Sequence, residues 1–176
     1  MNLQDTVQMF CLNGKAVTKD MVFVEWDEKY NMKHHLSLHP LIEELWFKKS
    51  ENSIRLFNAS KFRFHQIIES RQDNTLSSVK FLLGTTSYKE FIGTNCAPFA
   101  DKLVMDGIND YSDPGSYLSN PVGVGGLLET DEKDLVFIRR SNTCAEMPGL
   151  IDRPGGHPEP DVIVLYFMCF VLFKNC

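Results

Sequence analysis

Two strand-like runs, KFRFHQIIE over 61–69 and SSVKFLLG over 77–84, flank the turn-rich stretch SRQDNTLS. Short runs of aromatic and β-branched residues on either side of Asp, Asn and Ser form an antiparallel hairpin, and that pairing constrains the chain more than any other local feature. A third run, SIRLF at 53–57, precedes it. Upstream, Pro40 introduces LIEELWFKKS, where Leu41 and Leu45 followed by Lys48 and Lys49 predict a short amphipathic helix with basic residues at its C-terminal end. Residues 1–39 read as one or two strands.

Downstream, PFADKLVMDGI places Phe99, Leu103 and Val104 on one helical stripe that Gly107 is expected to end. The Pro-, Gly- and Ser-rich YSDPGSYLSNPVGVGG is the candidate boundary. It divides the chain into an N-terminal substrate-contacting region at 1–117, the start of a second domain at 118–161 and an apolar tail at 162–176. GGLLET and DLVFIRRS, joined by DEK, read as a second hairpin.

Composition excludes several function classes. With 43% hydrophobic and 23% charged residues, neither wholesale disorder nor coiled coil fits, and 176 residues allow one buried core or one domain with part of another. A net charge of −5 argues against a nucleic-acid partner, which needs a basic face. The five cysteines are odd in number, scattered and never in a CxxC pair, so a disulfide framework or zinc site is not expected. Together with an N-terminus lacking a basic region and apolar core, this predicts a cytoplasmic or nuclear protein that is not secreted. The apolar run Val162 to Phe173 has 12 residues, short of the roughly 18 to 20 that a membrane-spanning helix needs. Oligomeric state leaves no signal in the sequence.

Four motifs bear on chemistry. VGVGG at 122–126 lacks both the following helix of a dinucleotide loop and the Gly-Lys-Ser/Thr of a Walker loop, so a tight strand is favoured. KHHLSLHP sets His35 and His39 at helical spacing, but without an acidic partner, and a solvated surface cluster is the better reading. Arg139 and Arg140 close an apolar strand, where alternation lets only one of them enter a given cleft; a phosphate grip and an exposed charged strand end are equally supported. PGLIDRPGGHPEP gathers Asp152, His157 and Glu159 around a Gly-Gly pair that lets a ligand approach the backbone, with a plain polar loop as the competing account.

GLIDRPGGHPEP resembles the opening of a Nudix box. With LFNASKFRFH, LGTTSYKEFIGTN, NPVGVGG and VFIRRS it resembles the uridine diphosphate glucose pyrophosphatase (UDP-sugar diphosphatase) branch of the Nudix hydrolase superfamily, over roughly Pro40 to Pro160. The resemblance implies an α/β fold: the N-terminal part of an α/β/α sandwich with a mixed sheet, preceded by a β-rich region. It implies a Mg2+-dependent hydrolase cleaving UDP-glucose or UDP-galactose to UMP and sugar 1-phosphate. Phe57 and Tyr88 would contact the uridine side, Arg140 would bind phosphate, and Asp152 would complete the substrate contacts. A Nudix box continues into a helix whose glutamates hold the metal, whereas DVIVLYFMCFVLFKNC after Pro160 contains no Glu. Only the Gly155 carbonyl and Glu159 remain as weak metal ligands, so the chain as written is expected to be a poor or inactive hydrolase with a complete metal set missing. The alternatives are a truncated isoform, a non-catalytic binder of UDP or UDP-sugar, and, least favoured, a membrane-anchored variant.

Overall fold

The computed structural model describes residues 18–51, 56–73, 75–144 and 147–161. Expectations for the strands before residue 18, for most of SIRLF and for the tail at 162–176 lie outside the described residues.

The expected hairpin is the centre of the molecule. Strand β1 (Val22–Trp26) leads to helix α1 (His39–Glu51), and then β2 (Ser60–Gln72) and β3 (Thr75–Ser87) pair antiparallel along their full lengths. β1 runs parallel to β3, giving a mixed sheet in the order β1-β3-β2, the α/β architecture expected. The turn is tighter than SRQDNTLS suggests, because pairing continues to Gln72 and Thr75 with Asp73 in the left-handed region at φ 48°. Register shifts between Phe64 and Gln66 bulge β2 at His65. Phe62 and Leu83 are fully enclosed, with Val24, Phe64, Phe81 and Val122 packed around them.

Helix α2 (Tyr88–Gly93) follows β3 directly, its N-cap Ser87 accepting from the Glu90 amide at 3.2 Å. Helix α3 (Ala100–Tyr111) carries Leu103 into the interior as its stripe predicts, but it does not end at Gly107. The helix runs on to Ser112, which adopts the left-handed cap at φ 57°. Gly107 is instead the place where the returning chain crosses the helix: a Cβ there would stand 2.6 Å from the Asp113 carbonyl oxygen.

The stretch after α3 is packed. Ser116, Tyr117 and Ser119 are buried. Asp113 accepts from the Gly115 amide (2.8 Å) and the Ser116 hydroxyl (2.9 Å). Arg63, at 1% exposure, donates to the carbonyls of Tyr30 (2.6 Å), Gly115 (2.5 Å) and Leu118 (3.0 Å). Burial lowers its guanidinium to about 10, still cationic at neutral pH. The chain then lies along β2, with Phe64 N donating to Asn120 O and Val122 N to Phe62 O, both at 2.8 Å.

Beyond this point the strands are two residues each. β4 (Val124–Gly125), β5 (Leu128–Glu129), β6 (Leu135–Val136), β7 (Ile138–Arg139), β8 (Ile151–Asp152) and β9 (Gly155–Gly156) pair as β4-β9, β5-β6 and β7-β8. The second hairpin is present as β5-β6, closed by the acidic turn; DLVFIRRS then breaks at Phe137, and β7 turns to β8. Leu127, Phe137 and Ile151 remain exposed. Of the His cluster, His34 is exposed as expected, but His35 is drawn into the fold: its Nε2 meets Asp106 Oδ2 at 2.9 Å, and its Nδ1 accepts from the Leu38 amide at 3.2 Å. The reason is α3, which supplies the carboxylate that the local sequence lacked.

Candidate functional site

One cavity of about 560 Å³ gathers the motif residues; it is bounded by the segment before β2, the start of α2 and the ends of β4, β7, β8 and β9. Phe57, Tyr88, Arg140 and Asp152 all line it, as do Gly155 and Glu159. Residues up to 103 positions apart in sequence, from Leu56 to Glu159, meet there because the packed loop at 113–120 returns the chain alongside β2.

The aromatic wall is built by local hydrogen bonds. Tyr88 N donates to the Ala59 carbonyl at 3.1 Å, and Lys89 N donates to Asn58 Oδ1 at 2.8 Å. These two bonds fix the Phe57–Ala59 segment to the first turn of α2. Phe57 itself is 70% exposed. The Tyr88 ring stands edge-on to Trp46 of α1, with centroids 6.0 Å apart, so α1 supports it from behind.

The charged wall is built by strand pairing. Ile138 pairs with Asp152 and Arg139 with Ile151, and the next residue, Arg140, donates from Nη1 to Asp152 Oδ2 at 3.0 Å. Arg139 donates instead to the Gly149 carbonyl at 3.0 Å, so alternation separates the two guanidiniums as expected. Gly125 and Gly155 pair directly, and the pairing demands a glycine: a Cβ on Gly155 would lie 2.3 Å from the Val124 carbonyl oxygen. The glycines of VGVGG and RPGG thus form one close ladder between β4 and β9, consistent with the tight-strand reading.

Lys61 and Cys144 also line the cavity and were not singled out from sequence, whereas His157, noted in PGLIDRPGGHPEP, is there with them. Lys61, at the start of β2, places Nζ 2.5 Å from Glu159 Oε1. The imidazole of His157 lies 6.1 Å, centroid to centroid, from the Phe91 ring. Cys144 contributes a thiol. The signal for Lys61 was present in LFNASKFRFH, as a cation beside a core-facing Phe, but only the fold shows that it reaches the cavity.

Among the described residues, the donor set does not fit a resident divalent metal. Asp152 is committed to Arg140 and Glu159 to Lys61. Among the described residues, no three His, Cys, Asp or Glu side chains converge as ligands. A hard cation needs several oxygen donors in near-octahedral array, and these carboxylates already hold cations.

No family model matches the chain. It is similar to the uridine diphosphate glucose pyrophosphatase NUDT22 of Bos taurus, at 43% identity over 119 residues, 68% of this chain and 41% of that protein. The protein of the same name from Mus musculus is 34% identical over 165 residues, 93% of this chain and 52% of that protein. Nudix hydrolase 9 of Arabidopsis thaliana is 34% identical over 129 residues, 72% of this chain and 41% of that protein. The chain thus spans about half or less of the relatives it matches. With these identities spread over most of its length, the chain is related to part of the Nudix hydrolases, its relatives named as such or as uridine diphosphate glucose pyrophosphatases.

Proposed function

We propose that the cavity binds a UDP-sugar, and that the chain carries the substrate-contacting part of a hydrolase acting on a pyrophosphate bond. The observation that carries this reading is the convergence of Phe57, Tyr88, Arg140 and Asp152 on one cavity. Its volume of about 560 Å³ lies within the range of about 300 to 1,000 Å³ typical of small-molecule sites. Phe57 and Tyr88 offer aromatic faces and edges to the uracil, and the Arg140 fork suits a phosphate. Asp152 holds that fork in place and can accept from a sugar hydroxyl.

In this reading the 176-residue polypeptide binds the nucleotide sugar but turns it over slowly. The carboxylates of the cavity are tied to Arg140 and Lys61 and so are poor activators of water. Mg2+, which the family resemblance implies, would neutralise charge on the diphosphate when bound, but the described residues supply no complete site for it. The compartment that fits the scattered cysteines is the cytosol or nucleus, where thiols such as Cys96 and Cys144 stay reduced. Among the described residues no helix is long and apolar enough to cross a membrane.

Titration calorimetry with UDP-glucose, with ADP-glucose as the control, tests the reading. Saturable binding of UDP-glucose at least tenfold tighter than ADP-glucose is expected, with slow UMP release in the presence of Mg2+. Absence of heat at millimolar UDP-glucose, or equal affinity for both nucleotides, overturns the binding claim. Rapid UMP release from this polypeptide overturns the claim of slow turnover.

A further inference from the structure

Besides Arg140 and Arg153, a more deeply enclosed cation lines the cavity. The Lys61 side chain is 10% exposed and lines the cavity, with Nζ 2.5 Å from Glu159 Oε1. An ammonium has three N–H donors and no acceptor, and Glu159 is the acceptor the structure provides among the described residues. A single half-buried carboxylate offsets only part of the cost of taking an ammonium out of water, and the cavity is where further acceptors can sit. Arg140 with Asp152 repeats the arrangement of a lining cation held by a lining carboxylate. The two pairs balance each other, and Arg153, which also lines the cavity, leaves one cation more than carboxylates there, so the empty cavity favours an anionic ligand such as one carrying two linked phosphates.

We propose that Lys61 is a second phosphate-contacting residue, donating to the diphosphate alongside Arg140 while Glu159 keeps the ammonium aimed into the cavity. The inference deepens the UDP-sugar reading and rests on the same cavity. It makes the site a reader of the diphosphate linkage rather than of the nucleoside alone. With Lys61 and Arg140 each placed to donate to a phosphate, binding should depend on presenting two phosphate groups together.

The test compares inorganic pyrophosphate, UDP and uridine on the unaltered protein, on the Lys61→Met/Glu159→Gln double variant and on Lys61→Arg. The double variant removes both charges, so no carboxylate is left stranded. It should lose at least tenfold in affinity for pyrophosphate and for UDP and less than threefold for uridine, while Lys61→Arg retains most of the lost affinity. Unchanged binding of pyrophosphate and UDP in the double variant overturns the proposal, as does an equal loss for uridine. In the unaltered protein, millimolar pyrophosphate should slow acetylation of Lys61 at least threefold while leaving exposed Lys133 unaffected. That measurement decides the matter if the double variant fails to fold, and equal labelling with and without pyrophosphate overturns the proposal. If pyrophosphate binds through Lys61 but UDP binds no tighter than pyrophosphate, the uridine reading fails and the Lys61 assignment stands.

Discussion

At the scale of single residues, the site divides into groups that hold a ligand and groups that hold the site. In the proposed UDP-sugar reading, Phe57 and Arg140 belong to the first. Stacking on a base is worth about 1–3 kcal/mol, so Phe57→Ala should weaken UDP-glucose binding by about 5- to 150-fold, read by calorimetry. A charged hydrogen bond contributes about 1.5–3 kcal/mol, and Arg140→Ala should cost about 10- to 150-fold while also releasing Asp152. Arg63 belongs to the second group. Replacing it with Met leaves the carbonyls of Tyr30, Gly115 and Leu118 without their donor and should destabilise the fold by about 2–4 kcal/mol in urea denaturation. Affinity would fall with it, because the loop that Arg63 ties down returns the chain to the cavity.

At the scale of elements, the two halves of the chain are built differently. The β2-β3 hairpin is long, centrally paired and buried on both faces at its base, whereas β5 to β8 are two residues each and leave Leu127, Phe137 and Ile151 exposed. Such apolar side chains on short, partly unpaired strands favour intermolecular pairing. The Phe137→Thr/Ile151→Thr double variant should raise the solubility of the polypeptide, measured by static light scattering, without weakening nucleotide binding, since neither residue lines the cavity. Gly107→Ala tests the crossing at α3. Alanine is the better helix former, yet its Cβ would meet the Asp113 carbonyl, so the change should cost about 1–3 kcal/mol of stability.

At the scale of the whole molecule, stability should follow His65 as pH falls. Burial and the nearby Arg63 guanidinium hold its imidazole below the ordinary 6.5, and the Arg63 Nη1 lies 3.4 Å from its Nδ1. A histidine whose folded-state pKa is depressed binds its proton more readily when unfolded. The unfolded state is then favoured as pH drops through 6.5, and the loss saturates below the lowered folded value. The melting temperature should therefore fall between pH 7.5 and pH 5, as seen by calorimetry, and His65→Gln should flatten that slope. Unchanged slopes in the two proteins would remove His65 as the cause.

Much of this was legible in the chain before any coordinates. Alternating aromatic and β-branched residues around a polar turn dictate the β2-β3 hairpin, and Pro40 with Lys48 and Lys49 marks α1, because these signals are local and act within a few residues. The motifs around Phe57, Tyr88, Arg140 and Asp152 were visible as short patterns of chemistry. Their assembly into one cavity was not, since it depends on the Arg63 clamp and on a packed loop whose composition resembles an exposed linker. Gly107 as a crossing point, His35 bonded to Asp106 and Lys61 held by Glu159 are likewise tertiary facts. Each joins residues that are local strangers in sequence, and only the packing of one element on another determines which charge or carbonyl a side chain will meet.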